Sequence, residues 1–194
     1  MLPRPVAIRK KVVVVGDGAC GKTRLLISMS KEKFNESYVT TVQNYTVRVT
    51  CDATRLQLVL WDTACRDEYE ILRPLSYSES DAILLCFSIG SPNSLDSVSK
   101  KWKSELSRYC KRVPVILVGC KSDLRSDFIA MKQSQQKLEF VSEARGIATA
   151  RSLKACCYLE CSAKTGQGVK EVLQVAARES LRAREKKKKR CIIM

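Results

Sequence analysis

The sequence has no apolar run long enough to cross a bilayer. VVVV at 12–15 and ILLCF at 83–87 fall far short of the roughly 20 residues that a spanning helix needs. No secretory leader is expected either, since MLPRPVAIRKK is charged and carries no apolar stretch of the required length. Aromatic residues make up only 6% of the chain, with no base-stacking module and no helix-turn-helix signature. Nucleic acid is therefore not expected as a partner, in spite of a formal charge of +15. There is no internal repeat, and low complexity is confined to KKKKR at 186–190. Cysteine is not scarce, at ten residues, but without a leader a disulfide scaffold is not expected. Cys86 in AILLCFS and Cys161 in YLECSA lie inside strand-like stretches and read as small buried apolar side chains. A reduced, cytosolic protein is the expectation.

What is present is enough for one domain with short ends: 194 residues, 45% of them apolar. The charge comes from 35 Lys and Arg against 20 Asp and Glu, and a net of +6 sits between Arg182 and Arg190. An anionic membrane leaflet fits such a cluster. Strand-like and helix-like stretches alternate along the chain, which points to a single α/β unit. KKVVVVG is apolar on both faces, as a central parallel strand should be, and a helix is expected from Gly21 to about Lys31. YTVRVTC and RLQLVLWD alternate polar and apolar residues and predict a hairpin turning near Asp52. AILLCFS, VPVILVGC and CCYLECSA are three further strands. GVKEVLQVAARESLRARE closes the chain as an amphipathic helix, with Val169, Val172, Leu173, Ala176 and Leu181 roughly on one face.

Between the first strand and the first helix lies GDGACGKT, from Gly16 to Thr23, which matches G-x-x-x-x-G-K-[ST] in the setting that pattern requires. Backbone N–H groups of Gly16, Asp17, Gly18, Ala19, Cys20 and Gly21, with the helix start through Arg24, would cradle phosphate oxygens. Glycine is needed where a Cβ would block that approach. Lys22 offers a point charge to the β- and γ-phosphates, and the Thr23 hydroxyl a ligand to Mg²⁺. Asp62, at the end of LVLWD, is the second metal position. Cys20, at a helix N-terminus beside Lys22, sits where a thiol pKa is lowered, although a small packed thiol is the plainer reading.

Two further motifs follow strands at the carboxyl edge of the expected sheet, where open α/β sheets bind ligands. They are KSD, from Lys121 to Asp123, and ECSAK, from Glu160 to Lys164. These residues resemble the base-reading motifs of Ras-like GTP-binding proteins. The resemblance implies a P-loop GTP-binding domain with a mostly parallel six-stranded sheet and helices on both faces. It implies that Asp123 reads guanine by two hydrogen bonds and that Lys121 packs along the base. It places Leu124, Ser162, Ala163 and Lys164 around the base, Ala163 through its N–H, with Phe34 on the other side. The usual Asn of this motif is Cys120 here, which removes a tie to the phosphate loop. GCKSDLR resembles the Rnd branch of the Rho family, which has Cys at this place and still binds GTP.

The likeness to Rho proteins runs from IRKKVVVVGDGACGKT to the carboxyl terminus and is strong in LRPLSYSESDAILLCFSI, 72–89. It implies an extension at 1–10 and a GTP-binding domain at 11–181 with a helical insert at about 125–140. A basic tail follows at 182–194. It also implies a signalling switch, in actin or related pathways, that meets effectors, exchange factors, activating proteins and dissociation inhibitors and acts as a monomer. Thr41, 19 residues after Lys22, matches the threonine that contacts Mg²⁺ and γ-phosphate, and Tyr38 the residue that closes over the phosphates. VTTVQNY, 39–45, is one residue shorter than the family's stretch, a change that falls among effector contacts. Gly18 leaves room for a partner's arginine.

The hydrolytic motif departs most. The family's DTAGQE reads DTACRDE, so the glycine that bonds the γ-phosphate is Cys65 and the glutamine that orients water is Arg66. An arginine has donors only and cannot accept from water. Slow hydrolysis is expected, with a normally cycling GTPase and a non-switching nucleotide-bound scaffold as the alternatives. Retention of Thr41 and Asp62 argues against the scaffold. The sequence ends in Cys191-Ile192-Ile193-Met194, a C-a-a-X box behind KKKKR. Its final Met favours farnesylation, and the lysines supply the second membrane signal. The expected location is the cytoplasmic face of the plasma membrane or endomembranes, with a cytosolic pool.

Overall fold

The computed structural model describes residues 7–30, 44–63, 71–130 and 139–191, with 128–130 and 183–191 described by backbone alone. Strand β1 (Ile8–Gly16) is the centre of the sheet, and its valines 12–15 are all fully buried. β-Branched side chains suit a strand covered on both faces. Val12 and Val14 face one core, and Val13 and Val15 face the other. Strands β2 (Asn44–Cys51) and β3 (Thr54–Asp62) form the expected antiparallel hairpin. Its turn is Asp52-Ala53, with φ of 46° and 63°. Two central residues at positive φ match the right-handed twist of the flanking strands. On β2, Tyr45, Val47, Val49 and Cys51 point inward while their neighbours meet solvent.

Strands β4 (Ala82–Ser88), β5 (Val115–Cys120) and β6 (Cys157–Cys161) continue the sheet in parallel, giving the order β2-β3-β1-β4-β5-β6. Six strands with one antiparallel edge is the predicted architecture. Helix α1 (Lys22–Met29) and the closing helix α7 (Val169–Cys191) cover one face. On the other lie α3 (Pro92–Ser97), a π-helical turn over Val98–Trp102, α4 (Lys103–Tyr109) and α6 (Glu143–Leu153). Short α2 (Arg73–Tyr77) precedes β4, and α5 (Asp123–Ala130) follows β5. Of the expected insert, 131–138 lie outside the described residues.

Two boundaries differ from expectation. Gly21 and Ser30 cap α1 rather than belonging to it. The closing helix does not stop at Glu185: its backbone stays helical through KKKKR to Cys191. Arg, Glu and Lys are good helix formers, which suits a backbone that stays helical beyond Leu181. Val169, Val172 and Ala176 are buried as predicted, with Ala177 and Ser180, while Leu173 and Leu181 pack at the margin. The described cysteines are all free thiols, with Cys86 and Cys161 buried in their strands.

Candidate nucleotide-binding site

The phosphate loop leaves β1 at Gly16, where φ is 140°. A Cβ there would come within 2.0 Å of the Cys86 carbonyl oxygen, which is backbone and cannot yield. Ala19, at φ 55°, and Gly21, at φ 114°, complete the turn into α1. Gly21 offers no side-chain cap, and the first turn of α1 has no acidic residue. Its N–H groups are therefore left to an anion. Lys22 is only 7% exposed, and its ammonium donates to the Gly16 and Asp17 carbonyls, both at 2.8 Å. Those two bonds anchor the side chain inside the loop and leave one of its three donors for a ligand.

The Thr23 hydroxyl donates to Asp62 Oδ2 at 2.5 Å, joining the first turn of α1 to the end of β3. Asp62 Oδ1 is buried and has no hydrogen-bond partner among the described residues. Burial pushes the Asp62 carboxyl above its usual range, against the Thr23 hydrogen bond and the Lys22 charge. Next door, the Thr63 hydroxyl donates to the Val14 carbonyl at 2.7 Å and fixes the strand end. An unpartnered carboxylate oxygen beside a hydroxyl suits a hard divalent cation. No group of three or more His, Cys, Asp or Glu that could hold a metal ion lies among the described residues.

The base loops meet the phosphate loop at the same edge. Lys121, at φ 63°, donates from Nζ to the Ala19 carbonyl at 2.7 Å. A tie between base loop and phosphate loop thus exists, carried by lysine, although Asn is replaced by Cys120. Cys120 is buried opposite Cys161 in the sheet register, with its Cβ beside Gly21. Asp123 is the first residue of α5 and half-buried, as is Leu124. The Ser122 N–H donates to the Cys161 carbonyl at 3.1 Å. Ser162 is fully buried, and its hydroxyl accepts from the Thr165 N–H at 3.1 Å. Ala163, half-buried, follows Ser162 at the start of the turn after β6. Exposed Lys164 reaches Asp127 at 3.1 Å.

Cys20 bears out its plainer reading as a packed thiol. It is 1% exposed, and burial pushes its thiol up to about 12 in spite of the nearby Lys22 charge. The packed thiol is what the structure supports, not an activated one. Gly18 is exposed at the loop tip, and Arg24 half-buried on α1. Phe34, Tyr38, Thr41, Cys65 and Arg66 lie outside the described residues, as does the Cys191 side chain.

Several supporting side chains were not anticipated. Arg125 makes a two-pronged ion pair with Glu160, which also accepts from the Tyr158 hydroxyl at 2.5 Å. The pair joins the two base loops into one piece. Its sign in the sequence is Glu160, inside ECSAK, although nothing local names its partner. The Trp102 indole N–H donates to Asp17 Oδ1 at 2.7 Å. Arg73 lies over the Trp102 ring and pairs with Glu105 through two bonds of 2.7 Å.

Comparison with known proteins agrees with this geometry. The family model for the Ras family matches residues 11–182. The GTP-binding protein RHO1 of Candida albicans is 52% identical over 200 aligned positions that cover all of both chains. The GTP-binding protein RHO1 of Eremothecium gossypii is 48% identical, covering 97% of this chain and 96% of that protein. The GTP-binding protein Rho1 of Kluyveromyces lactis is 47% identical with the same coverage, 97% and 96%. With its phosphate loop and both base loops gathered at one sheet edge, the chain belongs to the Ras family and, within it, to the Rho-type small GTPases.

Proposed function

We propose that this Rho-type switch holds GDP or GTP together with Mg²⁺, hydrolyses GTP slowly, and works tethered to a membrane. The observation that carries the nucleotide site is the buried, unpartnered Asp62 Oδ1 beside Thr23 and Lys22. Lys22 neutralises phosphate charge from a fixed position, and the N–H groups at the start of α1 supply directional donors. Thr23, Asp62 and Thr41 would hold Mg²⁺, which when bound offsets negative charge on the phosphates. Asp123 selects guanine by accepting from the base, and the Ala163 N–H is the matching donor. Lys121 serves the base and the phosphate loop together, which supports retention of nucleotide despite Cys120.

Slow hydrolysis follows from Cys65 and Arg66. Arg66 cannot accept a hydrogen bond from the attacking water, and a Cβ at 65 restricts the backbone that would reach the γ-phosphate. Tethering follows from Cys191 and the run of cations behind which it lies. One lipid chain binds reversibly, and each nearby cation adds about 1 kcal/mol at an anionic surface. The test of the binding reading is the nucleotide that co-purifies with the protein, released by denaturation and quantified. Guanine nucleotide near one per chain is expected, with GTP outcompeting ATP on reloading. Equal competition by ATP would overturn the assignment of Asp123.

A further inference from the structure

We infer that Trp102 is a positioning residue of the phosphate loop and passes the placement of α2 to that loop. The inference rests on the nucleotide site proposed above. Trp102 is 1% exposed, far too deep to touch nucleotide from its own helix, yet its only polar atom is aimed at the loop. The indole N–H donates to Asp17 Oδ1 at 2.7 Å, across 85 positions of sequence. The Asp17 carbonyl accepts from the Lys22 ammonium at 2.8 Å. The indole therefore fixes a residue that fixes the phosphate-binding lysine.

The ring is held from its other side. The Arg73 guanidinium lies 4.8 Å from the Trp102 ring centre and is itself almost fully buried. Glu105 locks Arg73 by two bonds of 2.7 Å and accepts a third bond, from the Tyr77 hydroxyl, at 2.5 Å. Arg73 and Tyr77 are the two ends of α2, so the placement of this short helix is set by Glu105 of α4. Trp102 closes a π-helical turn, a local departure from the α-helix that re-aims the side chains at its end. Among the described residues, a continuous chain of contacts thus runs from α2 through Arg73 and Trp102 to Asp17 and Lys22. Moving α2 shifts the cation on the indole, and the indole carries the shift to the loop.

The test is release of a fluorescent guanine nucleotide from the full-length protein with Mg²⁺, alongside thermal melting. Slow release by the parent establishes the site itself, separately from the inference. Trp102→Phe keeps an aromatic ring under Arg73 and removes the N–H. Release should accelerate about tenfold, the scale of one lost hydrogen bond to a charged acceptor. Asp17→Ala, at a half-exposed residue, should accelerate release to the same extent. The double variant should be no faster than either. Arg73→Leu should accelerate release as well, in the presence of Asp17. Leu106→Ala on the same helical column should lower the melting temperature without changing release. Multiplying effects of Trp102→Phe and Asp17→Ala, or lowered melting with the parent's release rate, would reduce Trp102 to a packing residue and overturn the inference. An unchanged rate in Arg73→Leu would overturn the link to α2.

Discussion

The Thr23 hydroxyl spends its proton on Asp62 Oδ2 at 2.5 Å, while Oδ1 of the same carboxylate lies buried without a partner. The two residues come from the starts and ends of different elements, 39 positions apart, and meet only because β1 and β3 pair in parallel. Both side chains are thereby pre-placed for a cation. Asp62→Ala removes the unpartnered oxygen and frees Thr23. Nucleotide release from that variant should be fast with or without Mg²⁺, whereas the parent should release slowly with Mg²⁺ and quickly in EDTA. A variant that kept the parent's response to EDTA would place the metal elsewhere.

The parts of this site that are legible in the sequence are those whose chemistry is local. Gly16 to Thr23 must be consecutive for a loop to wrap phosphate, so the motif announces itself. The valines of β1 announce a central strand in the same way. Arg73 and Trp102 do not, since their meanings depend on partners 32 and 85 residues away. An arginine inside LRPLSY would be expected at the surface, and the pairing with Glu105 and the contact with the Trp102 ring permit its burial. Cys20 shows a conflict of local signals, because its place beside Lys22 and a helix start lowers a thiol pKa while a small thiol in this loop is more plainly a packed one. The packing of Cys86 and Cys120 in the same core decides for the packed thiol.

The Arg73–Glu105 pair should be visible in acid stability. Burial raises the Glu105 carboxyl, but the Arg73 and Tyr77 hydrogen bonds and the Arg73 charge outweigh it, leaving a net shift below the usual 4.5. A carboxyl with a depressed folded-state pKa stabilises fully above its unfolded value and loses that contribution as pH falls through the folded one. Glu105→Gln should cost on the order of 3 kcal/mol at neutral pH, by removing the carboxylate charge that pairs with the buried Arg73. In denaturant titrations the gap between parent and variant should narrow as pH falls below 4.5 and close as it passes through the depressed folded-state pKa. A gap constant with pH would assign the loss to packing.

Membrane binding tests the tail. In cell fractionation Cys191→Ser should move to the soluble fraction, because the basic run alone is one weak signal. Neutralising Lys186 to Lys189 should weaken attachment in part, and residual attachment should respond less to salt than the parent's. Cys191→Ser protein that stays with membranes would require a different anchor.

Hydrolysis is where the residues of this chain depart furthest from its family's pattern. In single-turnover assays the GTP-loaded protein should be slower than a Rho protein that has Gly and Gln in place of Cys65 and Arg66. Arg66→Gln restores a carbonyl that can accept from water and an amide that can donate, but Cys65 would still restrict the loop. Its recovery should therefore be partial. The double variant Cys65→Gly, Arg66→Gln should recover more, since water orientation and the backbone contact to the γ-phosphate return together. A Rho-directed activating protein should accelerate this double variant more than the parent, because Gly18 leaves the approach of an arginine open. The informative alternative is an Arg66→Gln protein slower than the parent. That ranking would make Arg66 itself a stabiliser of transition-state charge, and the weakened-hydrolase reading would fall with it.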